Sequence, residues 1–183
     1  MKIDSTWTLF LDRDGVINTK LPGAYVASWE QFSFIDGVKE SLIRLAEKFN
    51  RIIIVTNQQG IGKGIMTEKE LAVVHKKMVK EISLAGGRID KIYHCPDLAE
   101  SGSICRKPET GMALVARAEF PEIVFSKSIM VGDALSDMEF GRRCGMFTVY
   151  IGRNSPETKK NSHLIDMSFK NLNDFCASVN IIE

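Results

Sequence analysis

The 183-residue chain lacks the features that would take it out of the ordinary globular class. No apolar stretch approaches the roughly 20 residues of a membrane-spanning helix, and the start carries no basic region followed by an apolar run of roughly 7–15 residues. Membrane insertion and secretion are therefore not expected, and the expected location is the cytoplasm. An excess of one charge is missing too. Lys and Arg number 24 against 23 Asp and Glu, for a net +1 with no basic block, which argues against a nucleic-acid or anionic-membrane partner. Any phosphate recognition must then be local. Cysteine is sparse: Cys95, Cys105, Cys144 and Cys176 sit in a chain large enough to build a core without staples, so reduced thiols are expected, with Cys144 and Cys176 as small core residues. No repeat, low-complexity tract or linker breaks the sequence, and a single domain over residues 1–183 is expected.

What is present is organised around Thr8-Leu9-Phe10-Leu11-Asp12-Arg13-Asp14-Gly15-Val16. The apolar run reads as a buried strand, and it ends in two carboxylates one residue apart, followed by glycine. Carboxylates that close repel each other and call for a counter-charge, most simply a hard cation such as Mg²⁺. Residues 15–36 have no sustained period but contain Tyr25, Trp29, Phe32 and Phe34, which reads as an ordered loop walling a pocket. Val38, Leu42, Leu45 and Phe49 mark a helix. Arg51–Val55 is a β-branched strand leading into Thr56-Asn57-Gln58-Gln59-Gly60-Ile61-Gly62-Lys63-Gly64. Thr67 with Glu70 forms a capping box for a second helix carrying Leu71, Val74, Met78 and Ile82. A weaker strand over Ile89–Tyr93, a loop over 94–108, a helix over Thr110–Phe120, a strand over Ser128–Val131, a helix over Leu135–Cys144 and a strand over Met146–Ile151 follow. Pro156, Lys159 and Lys160 read as a surface loop, with a short strand near Leu164 and a last helix from Asn171. Alternating strands and helices imply an α/β fold, a three-layer α/β/α sandwich with a central parallel sheet. No gap between the polar strand ends has room for a separate cap domain.

In such sheets ligands sit beyond the carboxyl ends of the strands. Asp12, Asp14, Thr56 and Asp133 all follow directly on strands, with Lys107 on the loop beyond another and Asp137 one helical turn past Asp133. Phosphoryl transfer accounts for the set together. Hydrolysis of a phosphate monoester needs up to ~10²¹-fold acceleration, which no single group supplies. A carboxylate nucleophile, a shielding cation, a lysine and a hydroxyl on the phosphoryl oxygens and a second acid for the leaving alcohol divide the work. The residue types suggest Asp12 and Asp133 as carboxylate ligands of Mg²⁺ with the Asp14 carbonyl as a third, Lys107, Thr56 and the amides near Arg13 and Asn57 as phosphate holders, and Asp14 as acid/base.

Leu-Phe-Leu-Asp12-Arg-Asp14-Gly, Val-Thr56-Asn, Arg-Lys107-Pro and Val-Gly-Asp133-Ala-Leu-Ser-Asp137 resemble the four motifs of the haloacid dehalogenase superfamily of phosphatases. Tyr25-Val26, Trp29-Glu30-Gln31-Phe32, the Thr56–Gly64 stretch, Cys105-Arg106-Lys107-Pro108 and Gly111-Met112 are similar to its cap-less branch, which contains heptose-1,7-bisphosphate 7-phosphatases and histidinol-phosphatases. The resemblance implies Asp12 as the phosphorylated nucleophile, Asp14 as acid/base, Thr56 and Lys107 as phosphate holders, Asp133 as a Mg²⁺ ligand and Asp137 behind it. It favours a heptose bisphosphate as substrate and a monomer as the assembly. Relatives of this branch carry Cys-x-His and Cys-x-Cys pairs that bind zinc; here Cys95-x-Asp97 and Ser103-x-Cys105 stand in those places, and with two of four ligands left, Zn²⁺ is not expected. Substrate must be enclosed by the loops at 18–35, 57–66 and 95–106, where Arg13, Lys63 and Arg106 are the cations, Arg106 being the best suited to a second phosphate. Asn57 and Gln58 complete the expected substrate-binding set. The competing readings are histidinol-phosphatase, a nucleic-acid 3′-phosphatase, which the near-neutral charge disfavours, and a non-catalytic phosphate-binding protein, which has no need of Asp14.

Overall fold

The apolar run before the paired acids is the centre of the sheet. A computed structural model describes residues 1–153 and 155–181. Strand β1 (Lys2–Ile3) is short; β2 (Thr8–Leu11) is buried at every position. Helix α1 (Val38–Lys48), strand β3 (Arg51–Asn57), helix α2 (Glu68–Leu84), strand β4 (Lys91–Cys95), helix α3 (Gly111–Glu119), strand β5 (Ser128–Gly132), helix α4 (Leu135–Cys144), strand β6 (Phe147–Ile151), helix α5 (Pro156–Lys160), strand β7 (Met167–Phe169), helix α6 (Leu172–Ser178) and strand β8 (Asn180–Ile181) follow. The main sheet has the order β4-β3-β2-β5-β6-β7, and each of its pairings is parallel. Strands β1 and β8 form a separate parallel pair.

The alternation of side chains along the strands builds the two cores. Leu9, Leu11, Ile52, Ile54, Ile129 and Val131 point to one face, where they meet Leu42 and Leu45 of α1, Val74, Met78 and Ile82 of α2 and Phe175 of α6. Phe10, Ile53, Val55 and Met130 point to the other face, against Met112, Ala113 and Ala116 of α3 and Phe140 of α4. Near-continuous apolar strands are what a sheet covered on both faces requires. The expected α/β/α sandwich with a central parallel sheet is the fold of this chain.

Several element readings need correction. The strand placed over Ile89–Tyr93 is Lys91–Cys95, so His94 and Cys95 lie on it and face opposite sides. The short strand expected near Leu164 lies slightly later, at Met167–Phe169, a half-exposed edge; Ser162–Leu164 itself is a 3₁₀ turn. Residues Pro156–Lys160, read as a loop, are a five-residue helix capped by Ser155 and opened by proline. The β1–β8 pair is two residues long on each side, too short for any periodicity.

Cys95 and Cys105 are also not reduced thiols. They form a disulfide, which closes the loop between β4 and Arg106. Chain size made a staple unnecessary for the core as a whole, but this loop carries little apolar packing of its own, and the crosslink ties it down locally. Cys144 and Cys176 are free, the former half-buried and the latter buried. Among the described residues no helix is long and apolar enough to cross a membrane.

Candidate active site

Because all the strands are parallel, their polar C-terminal ends meet at one edge. Asp12 follows β2, Thr56 and Asn57 end β3, and Asp133 follows β5, with Asp137 in the first turn of α4. A cavity of about 270 Å³ opens over them, lined by Asp12, Asp14, Lys20, Tyr25, Thr56, Asn57, Gln58, Arg106, Lys107 and Asp137, among others.

The two acids of the opening motif point to different neighbourhoods. The Asp12 carboxylate accepts from the Arg13 amide at 2.7 Å and pairs with Lys107 at 3.0 Å. Lys107 is almost wholly buried, and its ammonium also reaches Asp137 at 2.7 Å and the Val55 carbonyl at 2.7 Å, so its three donors are all engaged. Burial raises the Asp12 pKa to about 6, with Asp137 and Asp14 adding to the rise and Lys107 opposing it. Burial would lower the Lys107 pKa, but Asp12 and Asp137 outweigh it and hold the ammonium above its usual value. The Asp14 carboxylate turns away from this cluster. Arg13 Nη2 donates to both of its oxygens at 2.9 Å, Asn18 Nδ2 to Oδ1 at 2.9 Å and Gln58 Nε2 to Oδ2 at 2.9 Å. Burial would raise its pKa; the Arg13 guanidinium and the other donors outweigh burial and leave it below the usual carboxylate range.

Carboxylate oxygens of Asp12, Asp133 and Asp137 lie within 4.8 Å of one another. An all-oxygen set without thiolate or imidazole suits a hard divalent cation. Two ammonium groups offset its charge here, Lys107 from within and Lys20, whose Nζ is 2.9 Å from Asp133, from the loop. Asp137 pairs with Lys107 and also accepts from the Ala134 amide at the start of α4. The turn after Asp14 is shaped around this cluster. Gly15 has φ +89°, and a Cβ there would lie 2.2 Å from Asp133 Oδ2.

Gln58 Nε2 bridges Thr56 Oγ1 and Asp14 Oδ2, both at 2.9 Å. The Asn57 side chain clamps the Lys107 backbone, donating to its carbonyl and accepting from its amide, each at 3.0 Å. Arg106 lines the cavity and donates to the Asp97 carbonyl at 3.2 Å. Two expected substrate cations are placed elsewhere. The Arg13 side chain is wholly buried and does not line the cavity, because Asp14 and His75 draw it inward. Lys63 is exposed, its ammonium 5.4 Å from the Tyr25 ring centroid, and does not line the cavity. Asp97 lies 3.5 Å from Cys105 Sγ, so Cys95, Asp97 and Cys105 cluster, with both sulfurs already bonded to each other.

Comparison with known proteins places this geometry. Residues 9–175 match the family described as polynucleotide kinase 3 phosphatase. The D-glycero-alpha-D-manno-heptose-1,7-bisphosphate 7-phosphatase of Campylobacter jejuni is 40% identical over 169 residues, 92% of this chain and 93% of its own. The protein of the same name from Mycobacterium tuberculosis is 35% identical over 178 residues, 94% of this chain and 91% of its own. The crystal structure of D,D-heptose 1,7-bisphosphate phosphatase from B. bronchiseptica, complexed with magnesium and phosphate, superposes with a TM-score of 0.84 at 25% identity, covering 93% of this chain and 96% of that one.

The chain belongs to the polynucleotide kinase 3 phosphatase family.

It is a phosphoric monoester hydrolase. Two residues of this phosphatase's site escaped the sequence reading. Lys20 lies in a loop without period, where a single lysine reads as solvated. His75 follows Leu71 by four and precedes Met78 by three, so it shares the inward stripe of α2 and reads as core.

Proposed function

We propose that the phosphatase removes the 7-phosphate of a D-glycero-D-manno-heptose 1,7-bisphosphate, with Mg²⁺ as cofactor and Asp12 as nucleophile. The observation that carries the mechanism is the divergence of the two aspartates. Asp12 faces the cavity, the cation-binding carboxylates and Lys107, whereas Asp14 is held apart by donors of its own. One can be an anion that attacks while the other handles a proton. The substrate class is supported by the names and near-full coverage of the relatives.

An oxygen of Asp12 attacks phosphorus and the P–O bond to the sugar breaks; Asp14, ionised by its donors in the free protein, takes up a proton as the substrate binds and passes it to the departing alkoxide. Water then attacks phosphorus of the aspartyl-phosphate, Asp14 accepts its proton, and Asp12 is regenerated with release of phosphate. Asp12 and Asp133, with the Asp14 carbonyl, would hold Mg²⁺, which would supply positive charge to the phosphoryl oxygens. Thr56 and Lys107 hold and neutralise those oxygens from the other side. Asn57 fixes the backbone of Lys107, and Gln58 couples Thr56 to Asp14. Arg106 and Lys20, both on the cavity wall, are the groups available to the second phosphate, with Tyr25 beside them.

The absence of a basic stripe in a chain of net charge +1 disfavours a polynucleotide, although the family description includes one. A comparison of kcat/KM for heptose 1,7-bisphosphate of each anomer, histidinol phosphate and a 3′-phosphorylated oligonucleotide, with and without Mg²⁺, tests the proposal. The heptose bisphosphates are expected to rank first by at least about tenfold, a difference of about 1.4 kcal/mol in transition-state binding. A higher value for the oligonucleotide would overturn the substrate. Asp14→Asn is expected to abolish turnover of the sugar phosphate, and unchanged phosphate release would overturn the role of Asp14.

A further inference from the structure

We infer that His75, in its neutral form with the proton on Nδ1, is a positioning residue for the acid/base Asp14, acting through the buried guanidinium of Arg13. The inference rests on the reaction proposed above.

Arg13 is wholly buried one residue from each aspartate, and its side chain turns away from the cavity. Its Nη2 donates to both oxygens of Asp14, and its Nη1 lies 3.1 Å from His75 Nε2. A guanidinium has donors only, so Nε2 must accept, and the imidazole proton must sit on Nδ1. His75 comes from the inward face of α2, between the core residues Val74 and Met78. Its surroundings keep it an acceptor: burial above all, then the Arg13 charge and the neighbouring His94, lower its pKa to about 3, against a smaller opposing pull from Asp14. His94, 6.0 Å away between ring centroids, is turned outward to Glu68 at 2.8 Å. His75 is thus the one side chain other than Asp14 that bonds the guanidinium among the described residues, while Arg13 Nε has no partner at all. Without His75 the guanidinium keeps a single anchor, and that anchor is the group whose position matters.

Leaving-group chemistry separates positioning from simple structural support. The step reported by kcat/KM requires a proton from Asp14 when the leaving group is an alkoxide, but hardly when it is 4-nitrophenolate. His75→Leu is expected to lower kcat/KM about 10–100-fold on an alkyl phosphate and by less than about 3-fold on 4-nitrophenyl phosphate. His75→Gln, whose side-chain oxygen can accept from Nη1, should restore most of the loss. Equal losses on the two substrates, or no difference between Leu and Gln in variants that melt like the wild type, would overturn the inference. A readout independent of turnover is the ¹⁵N spectrum of histidine-labelled wild-type protein. It should show His75 with Nδ1 protonated and Nε2 bare; an Nε2-protonated or cationic ring overturns the inference. Failure of the wild type to hydrolyse any phosphate ester would instead strike at the proposed reaction, and the spectrum would still decide the placement of His75.

Discussion

Replacing Asp12 by asparagine should stabilise the metal-free protein at neutral pH while abolishing its activity. Asp12 is buried, and its pKa is raised from 3.8 to about 6 by burial first, then by Asp137 and Asp14. A group whose folded pKa exceeds its unfolded value contributes stability that is full below the unfolded pKa and lost as pH rises through the folded one. The window here runs from about pH 4 to about pH 6. Two pKa units at about 1.4 kcal/mol each make a penalty of about 3 kcal/mol once Asp12 is ionised. Asparagine removes that penalty and keeps an acceptor for the Arg13 amide, but it takes from Lys107 one of its two carboxylates. A net gain of about 1–2 kcal/mol remains, and at about 2–4 °C per kcal/mol for a domain of this size the melting temperature should rise by about 2–8 °C. Thermal unfolding of both proteins in chelator, from about pH 4 to about pH 8, is the assay. The gain should grow through the window and be small at its acid end. Added Mg²⁺ should narrow or reverse the ranking, because it stabilises only the protein that binds it well. A variant less stable than the wild type at neutral pH, or a gain that does not change with pH, would refute the reasoning.

Lys107→Met is the opposite perturbation: it leaves Asp12 and Asp137 buried without their shared cation and should destabilise the protein by about 3–5 kcal/mol by denaturant titration, with kcat falling at least about 10²-fold. Gly15→Ala combines a left-handed backbone, costing about 1–2 kcal/mol, with a methyl group driven into the Asp133 carboxylate, so the Mg²⁺ concentration for half-activation should rise about 10-fold or more. Lys20→Ala removes the ammonium that rests on Asp133 and should lower that same concentration a few-fold, more at low salt than at high. Reduction of the Cys95–Cys105 disulfide should cost about 2–3 kcal/mol, read as a fall in melting temperature with phosphine reductant that a Cys105→Ser variant does not show.

The strands and their polar ends were legible because the central strands are buried on both faces and so read as continuous apolar runs. That was enough to bring Asp12, Thr56, Lys107 and Asp133 to one edge from distant parts of the chain. Edge elements were not legible: Met167–Phe169 is half exposed, and a two-residue strand has no period. Side-chain direction was lost as well. Spacing says that Arg13 stands between two aspartates, but only the packing of α2 shows that its guanidinium goes inward to His75. Lys63 illustrates the same limit, since a lysine near a site in sequence can extend over a neighbouring ring without lining the cavity. The disulfide went unread because size and compartment speak for the whole chain, whereas the need for a crosslink was local to one loop.

Strand β2 is hydrogen-bonded on both sides, to β3 and to β5, and none of its residues is exposed. Asp12, the proposed nucleophile, is therefore attached to a segment whose amides should exchange with solvent only through global unfolding. The walls of the cavity are loops on the surface, drawn from the low end of the local stability scale. Substrates of different shape can then be met by changing the walls while the attacking oxygen stays where the sheet puts it. Drift in specificity and loss of catalysis become separable events, recorded in different parts of the chain.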